Sequence, residues 1–334
     1  MANNNFKAFA AAAGANVMTQ ADYEALAALL TGFQSGTAQS QQLNKVWRQS
    51  SIMASVLAQF IVDLTGQDAI DDGTTTTLLA NLKTAVQAQS AAVVGHARNL
   101  AMSVTAASAT ATLTADEIVV GTALGGKKYV LGAFNQTINL ATTGAGGMDT
   151  GAAPAPGYVG LYAGYNPVTG ARTLFARNAT STVLGSVYGG ANAPAGITAT
   201  ALVSVWPTNS SGQFVVGAQT ERSVKTGLVT VLATNSIQSS YIALNISSAV
   251  PKNAITCSGY ISYGSSAASM GTMNFAADAT GTGAVAVGGY SNGSGSVYAP
   301  FADTPINIPQ TAYYNNSSAS GTPTFGAAIN GYKF

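Results

Sequence analysis

Two rhythms of apolar and polar residues divide the chain. Up to about residue 105 apolar side chains return every three or four positions; beyond it they alternate in runs of four to eight, broken by Gly, Pro, Asn and Ser. These periods belong to helix and strand respectively. The stretch "TQADYEALAALLTG" predicts a first helix with Thr19 as its N-cap, Asp22 and Glu24 in its first turns and Gly32 as its stop. A second helix is predicted from about Ser40 to Leu64. Across it Leu43, Val46, Ser50, Met53, Leu57, Phe60 and Leu64 fall at alternating spacings of three and four, a heptad seam with one polar member. A surface helix packing onto its own domain shows the same stripe, so the pattern leaves open whether the seam faces its own chain or copies of it. "DDGTTTTLLANLKTAVQAQSAAVVGHARNLAMS" predicts a turn at Asp72–Gly73 and a third helix, Ala-rich, weakly amphipathic and marginal by itself.

From about Ala106 the chain reads as short strands: "SATATLTADEIVVGTALGGKKYVLGAF", "ATALVSVWP", "GLVTVLATN", "ITCSGYISYG" and "GAVAVGGYS". The charge cluster at Arg222 to Thr226 marks a break between two such blocks. The predicted fold is therefore a segregated α+β chain: N-terminal helices with a short coiled-coil-like seam, then mainly antiparallel β-sandwich domains. The expected divisions are 1–35, a helical region over 36–105, a first β domain over 106–222 and a C-terminal sandwich over 223–334.

Composition changes this picture in one respect. Only 7% of residues are charged, against about 25% in ordinary soluble domains. The polar surface must be built from Ser, Thr, Asn, Gln and Gly, or be covered by partner chains. A net charge of +1 gives no basic field for nucleic acid. The single cysteine, Cys257, permits no disulfide within the chain and reads as a small buried apolar side chain. Long uncharged stretches are interrupted by Gly, Pro and Asn, so no membrane-embedded segment is expected. The opening "MANNNFKAFAAAAGANV" has too weak and broken an apolar block for a signal peptide and is read as part of the mature protein.

Three long stretches carry a resemblance. "FKAFAAAAGANVMTQADYEALAALLTGFQSG" with "QLNKVWRQSSIMASVLAQFIVDLTGQD" resembles the N-terminal region of tail-fibre proteins of tailed bacteriophages. The middle of the chain, from "NLATTGAGGMDTGAAP" to "QFVVGAQ", is similar to their β domain. The end, "SSAVPKNAITCSGYIS" through "GTPTFGAAINGYKF", is similar to their C-terminal sandwich. The resemblance implies a virion structural protein, homotrimeric, with residues 1–35 attaching to tail or baseplate proteins. Distal β domains would then meet a host cell-surface glycan or outer-membrane protein. It implies no catalytic residues, cofactor or metal. The chain is short for such a fibre, which makes a structural adaptor for another fibre the alternative, and a polysaccharide depolymerase a third reading.

Motifs that suggest chemistry fail on their own requirements. "GYSNG", Gly289 to Gly293, has the G-x-S-x-G form, but "GSGSVYAPF" after it cannot start the helix a nucleophile elbow needs. The only histidine, His96, lies upstream of Ser291 rather than downstream as a base. One His and one Cys make no ordinary zinc site within a chain. The glycine-rich "NLATTGAGGMDTGAAPAPGYVG" lacks both the Lys-Ser/Thr of a P-loop and the dinucleotide spacing, and Pro154 and Pro156 remove donors, so it reads as a long inter-strand loop. Recognition calls instead for rigid amphipathic platforms. Tyr290, Tyr298, Tyr313 and Tyr314, placed by the sequence in glycine-rich connections, are the receptor-contact candidates; covering a sandwich core or a subunit interface is their other reading.

Overall fold

The computed structural model describes residues 2–88, 92–293 and 295–334. It falls into two compact units, 1–91 and 92–334.

The first unit is helical. Helix α1 (Gln20–Glu24) is capped by Thr19, whose hydroxyl accepts from the Asp22 N–H, and α2 (Ala28–Thr31) ends at Gly32, with φ of 72°. The single helix expected here is thus two short ones, joined by tight i→i−3 bonds such as Leu26 N–H to Tyr23 O and Leu29 N–H to Leu26 O. Helix α3 (Ser40–Thr65) is continuous, and stops at Gly66 in the left-handed region, whose N–H donates to Val62 O. Helix α4 (Thr76–Ala88) follows, and residues 89–91, which the predicted third helix also covered, lie outside the described residues. The N-terminal segment is tied to this pair. Asn5 N–H donates to Ala69 O, Asn4 Nδ2 to Ser55 O, and Phe9 N–H to Ser51 Oγ at 2.8 Å, while Phe9 meets Trp47 edge-on at 5.8 Å.

Beyond residue 92 every named strand pair is antiparallel. The structure departs from the predicted third helix at its end. Ala97–Arg98 (β1) and Ala101–Val104 (β2) are strands, because Met102 and Val104 alternate with exposed neighbours and β2 has partners on both sides. β3 (Thr110–Gly121) and β4 (Lys128–Asn139) form a long hairpin. β5 (Gly157–Tyr165) lies between β6 (Arg172–Asn178) and β7 (Ala199–Thr208). The glycine-rich stretch is the connection from β4 to β5. It folds onto β6 through Gly146 N–H to Leu174 O and Asp149 N–H to Ala176 O. β5 and β7 are buried almost end to end on both faces. Glycine makes this possible: the place a Cβ would take at Gly160 is filled by Leu184, and that at Gly164 by Ile197, both from the loop between β6 and β7.

β8 (Gly217–Thr220) and β9 (Ser223–Thr234) make a hairpin turning at Glu221–Arg222, and the sheet runs on through it. The remaining strands are β10 (Ile242–Asn245), β11 (Thr256–Ser265), β12 (Ala268–Ala276), β13 (Val285–Asn292), β14 (Ser296–Pro305), β15 (Thr311–Ser318) and β16 (Pro323–Lys333). They complete a twelve-stranded sheet, whose last stretch runs β14-β11-β16-β9, and a four-stranded sheet ordered β10-β15-β12-β13. The two layers meet through Ile261, Tyr263, Phe325 and Ile329 on one side and Met273, Phe275 and Tyr314 on the other. Phe275 stacks on Phe301 at 4.9 Å, and the Tyr263 ring rests directly on Gly271. Long-range bonds join this sandwich to the earlier strands: Tyr332 Oη donates to Val205 O at 2.6 Å and Tyr158 Oη to Ser247 O at 3.0 Å. Arg222 donates to Gly95 O and Leu202 O while lying over the Phe334 ring.

Cys257 is buried, and burial pushes its thiol up to about 12. The thiol is therefore protonated around neutrality; native protein at about pH 8 is expected to resist alkylation, and unfolded protein to react at once. Labelling of Cys257 at the unfolded rate would contradict the packing. Gly259 gives a second test. A Cβ there would fall on the Ala328 carbonyl oxygen, whereas at Gly227 it meets nothing within 4 Å. Gly259→Ala is expected to cost about 3 kcal/mol and Gly227→Ala less than about 0.5 kcal/mol in denaturant unfolding.

Candidate functional site

Two surfaces carry the predicted site residues. The first is helix α3, whose only buried residues are Lys45, Ala58 and Ile61. Of the seam, Leu43, Val46, Phe60 and Leu64 are half-buried, while Ser50, Met53 and Leu57 are exposed. Met53 is 68% exposed and Leu57 49%, and beside them Val56 is 58% exposed. With Ile52 these form a continuous apolar strip. Leu57 also borders an apolar hollow between α3 and α4 that Phe6, Ile61 and Leu82 help to line.

The second surface is the outer face of the four-stranded sheet. The tyrosines stand in strands rather than in the glycine-rich connections the sequence suggested, and the strand period separates them. Tyr313 and Tyr314 are adjacent in β15 and point to opposite faces. Tyr314 is 6% exposed, turned into the sandwich, and offers no surface for contact. Tyr313 stays on the outer face, as does Tyr290 of β13, which is 61% exposed. Tyr298 belongs to β14 in the other sheet, where it meets Tyr260 edge-on at 5.4 Å. The four candidates therefore form no single cluster.

Strand register defines what does share the face with Tyr290. Tyr290 lies opposite Met270; Thr272 stands between Gly288 and Ser317; Asn274 between Ala286 and Asn315; and Tyr313 between Ala276 and Ala243. Two of these rungs are internally bonded. The Thr272 and Ser317 hydroxyls are 2.9 Å apart, and Asn274 Nδ2 donates to Asn315 Oδ1 at 2.7 Å. Gly271, Gly288 and Gly289 floor a shallow trough of about 600 Å3 beside Tyr290. Met270, Thr272, Asn274, Asn315 and Ser317 were not among the sequence candidates. Their signal was the alternation within "ASMGTMNFA" and "YYNNSS", which gives a face but no partner for it.

The groups that suggested chemistry have other tasks. Ser291 lies inside β13, buried, with its hydroxyl accepting from Ser265 N–H and in contact with Ser265 O and Gly295 O; strand β14 follows it, and Ser294 between them lies outside the described residues. Asp116 accepts from Asn99 Nδ2, Glu221 from Leu100 N–H, and Asp149 from Tyr188 Oη at 2.7 Å. Burial, then this bond, pushes Tyr188 up to about 12. Thr280 and Thr282 hold the Asp278 carboxyl below its usual range by closing a turn around it. Asp303 pairs with Lys333 at 2.8 Å. Among the described residues no group of three or more His, Cys, Asp and Glu could hold a metal ion, and no helix is long and apolar enough to cross a membrane.

Comparison with models of known protein families gave no match, and comparison with curated proteins gave none.

The placement of the tyrosines separates two substitutions. Tyr314→Ala opens the sandwich core and is expected to cost about 3–5 kcal/mol. Tyr290→Ala, at the surface, should stay within about 0.5 kcal/mol. Equal effects in thermal or denaturant unfolding would contradict the assigned faces.

Proposed function

We propose that this protein is a trimeric tail fibre of a tailed bacteriophage: a virion structural protein whose N-terminal region joins tail or baseplate proteins and whose β unit meets the host surface. The observation that carries this reading is the apolar strip on α3. Met53, Val56 and Leu57 expose side chains whose further burial is worth roughly 1–2 kcal/mol each, and Met53 and Leu57 sit at the spacing that packs knobs into holes between parallel helices. A monomer would leave that strip in water. Three copies would bury it along a common axis and set three β units side by side. Weak contacts at each would then act together through high effective concentration.

The scarcity of charge supports the same reading, because an interface of neutral polar and apolar groups desolvates no ions. The extended resemblance of all three parts of the chain to phage fibres supplies the biological setting. In this role the protein is not an enzyme. Its work is assembly and adhesion, toward a glycan or an outer-membrane protein.

Light scattering of the purified protein tests the assembly: three copies of a 33.4 kDa chain should give about 100 kDa. Leu57→Lys, which places a charge in the seam, is expected to lower the mass to that of one chain without unfolding the β unit. A single-chain mass for the unaltered protein would overturn the trimer. Antibodies against the β unit should label the tails of virions in electron micrographs, and labelling of the head alone would overturn the fibre assignment.

A further inference from the structure

We propose that the outer face of the four-stranded sheet is a binding track for an uncharged polysaccharide. The proposal takes its biological setting from the adhesion reading above and its chemistry from the face itself.

Four consecutive rungs of the face hold Tyr290 and Met270, then Gly288, Thr272 and Ser317, then Ala286, Asn274 and Asn315, and finally Tyr313 and Ala243, beside the buried Ala276. None of these residues is charged. An acidic polymer lying here would lose hydration and meet no cation in return, and a basic one would meet no carboxylate. A neutral polymer pays no such penalty. The middle rungs are also wrong for the apolar centre of a protein partner, since they would bury hydroxyl and carboxamide groups without bonds.

The bonding left over on those rungs suits a sugar. With Asn274 Nδ2 donating to Asn315 Oδ1, the Asn274 Oδ1 acceptor and the Asn315 Nδ2 donor on the same rung have no further hydrogen-bond partner among the described residues. A vicinal diol matches that pair, one hydroxyl donating to Asn274 while its neighbour accepts from Asn315. The Thr272–Ser317 contact uses one hydroxyl proton, which leaves the second to bond outward. At one end the exposed Tyr290 ring provides a flat surface for the C–H face of a sugar ring. Gly288 keeps the trough open beside it; a Cβ there would meet Thr272 Cγ2 at 3.1 Å.

Spacing makes this a track rather than a pocket. Successive rungs are two residues apart, about 7 Å, and the run from Met270 to Ala276 spans about 20 Å. The groups stand on paired strands, so little ordering is needed when a chain of sugars settles on them.

The test uses the full-length protein on an array of bacterial O-antigen and capsular polysaccharides, uncharged and acidic. Binding to at least one uncharged polysaccharide is expected, and the double variant Asn274→Ala, Tyr290→Ala should weaken it about tenfold or more with unchanged Tm and particle mass. Binding to no polysaccharide, to acidic ones alone, or equally by the double variant would overturn the track. A lower particle mass in the double variant would also overturn it, by making the face a subunit contact. Labelled protein on intact bacteria carrying the bound polysaccharides separates the two levels of the account. If variant and unaltered protein coat cells equally, adhesion stands and the track falls; if neither coats any cells, the adhesion reading itself fails.

Discussion

Helix α3 leaves much of its apolar surface uncovered by the rest of the helical unit. It runs unbroken from Ser40 to Thr65, yet only Lys45, Ala58 and Ile61 are buried. The N-terminal segment and α4 cover part of it, through contacts such as Phe9 on Trp47 and Asn4 to Ser55. They leave Met53 and Val56 mostly exposed and Leu57 about half exposed. In water that strip is unfavourable in proportion to its area, and in the proposed assembly copies of the same helix cover it. The proposed role rests on this exposed strip, since a helix that covered it with copies of itself would make the whole chain multivalent.

The β unit shows how a chain poor in charge keeps a defined structure. Beside the Arg222 bonds, its long-range ties include neutral hydrogen bonds, such as Tyr332 Oη to Val205 O, and glycine contacts such as Gly271 beneath Tyr263. One surface pair, Lys333 with Asp303, is an ion pair; exposed as it is, it adds little. Side-chain amides and hydroxyls bond to one another in place of ions, as at Asn274–Asn315 and Thr272–Ser317. The same rungs that keep the sheet's outer face soluble leave donors and acceptors of the kind a sugar uses.

Much of this was legible in the sequence. The limits of α3, about Ser40 to Leu64, came from its period, and the alternation after residue 106 gave antiparallel strands. The end of the third helix did not, because "AMSV" becomes a strand only through pairing with β3 and β8, and partners distant in sequence leave no local mark. The tyrosines illustrate the same limit. Their amphipathic character was visible, but which ring faces water depends on register, and one position separates exposed from buried, as Tyr313 and Tyr314 show. Asn274 and Asn315 lie far apart in sequence and adjacent on the sheet, so their pairing could not have been read at all.

Hydrogen exchange along α3, measured at several protein concentrations, tests the central claim most directly. The account predicts strong protection of amides from Leu43 to Leu64 that falls on dilution, while β5 and β7 stay protected throughout. Protection of α3 that does not change with concentration down to a demonstrably single-chain state would contradict it, because the helix would then be stable without its copies.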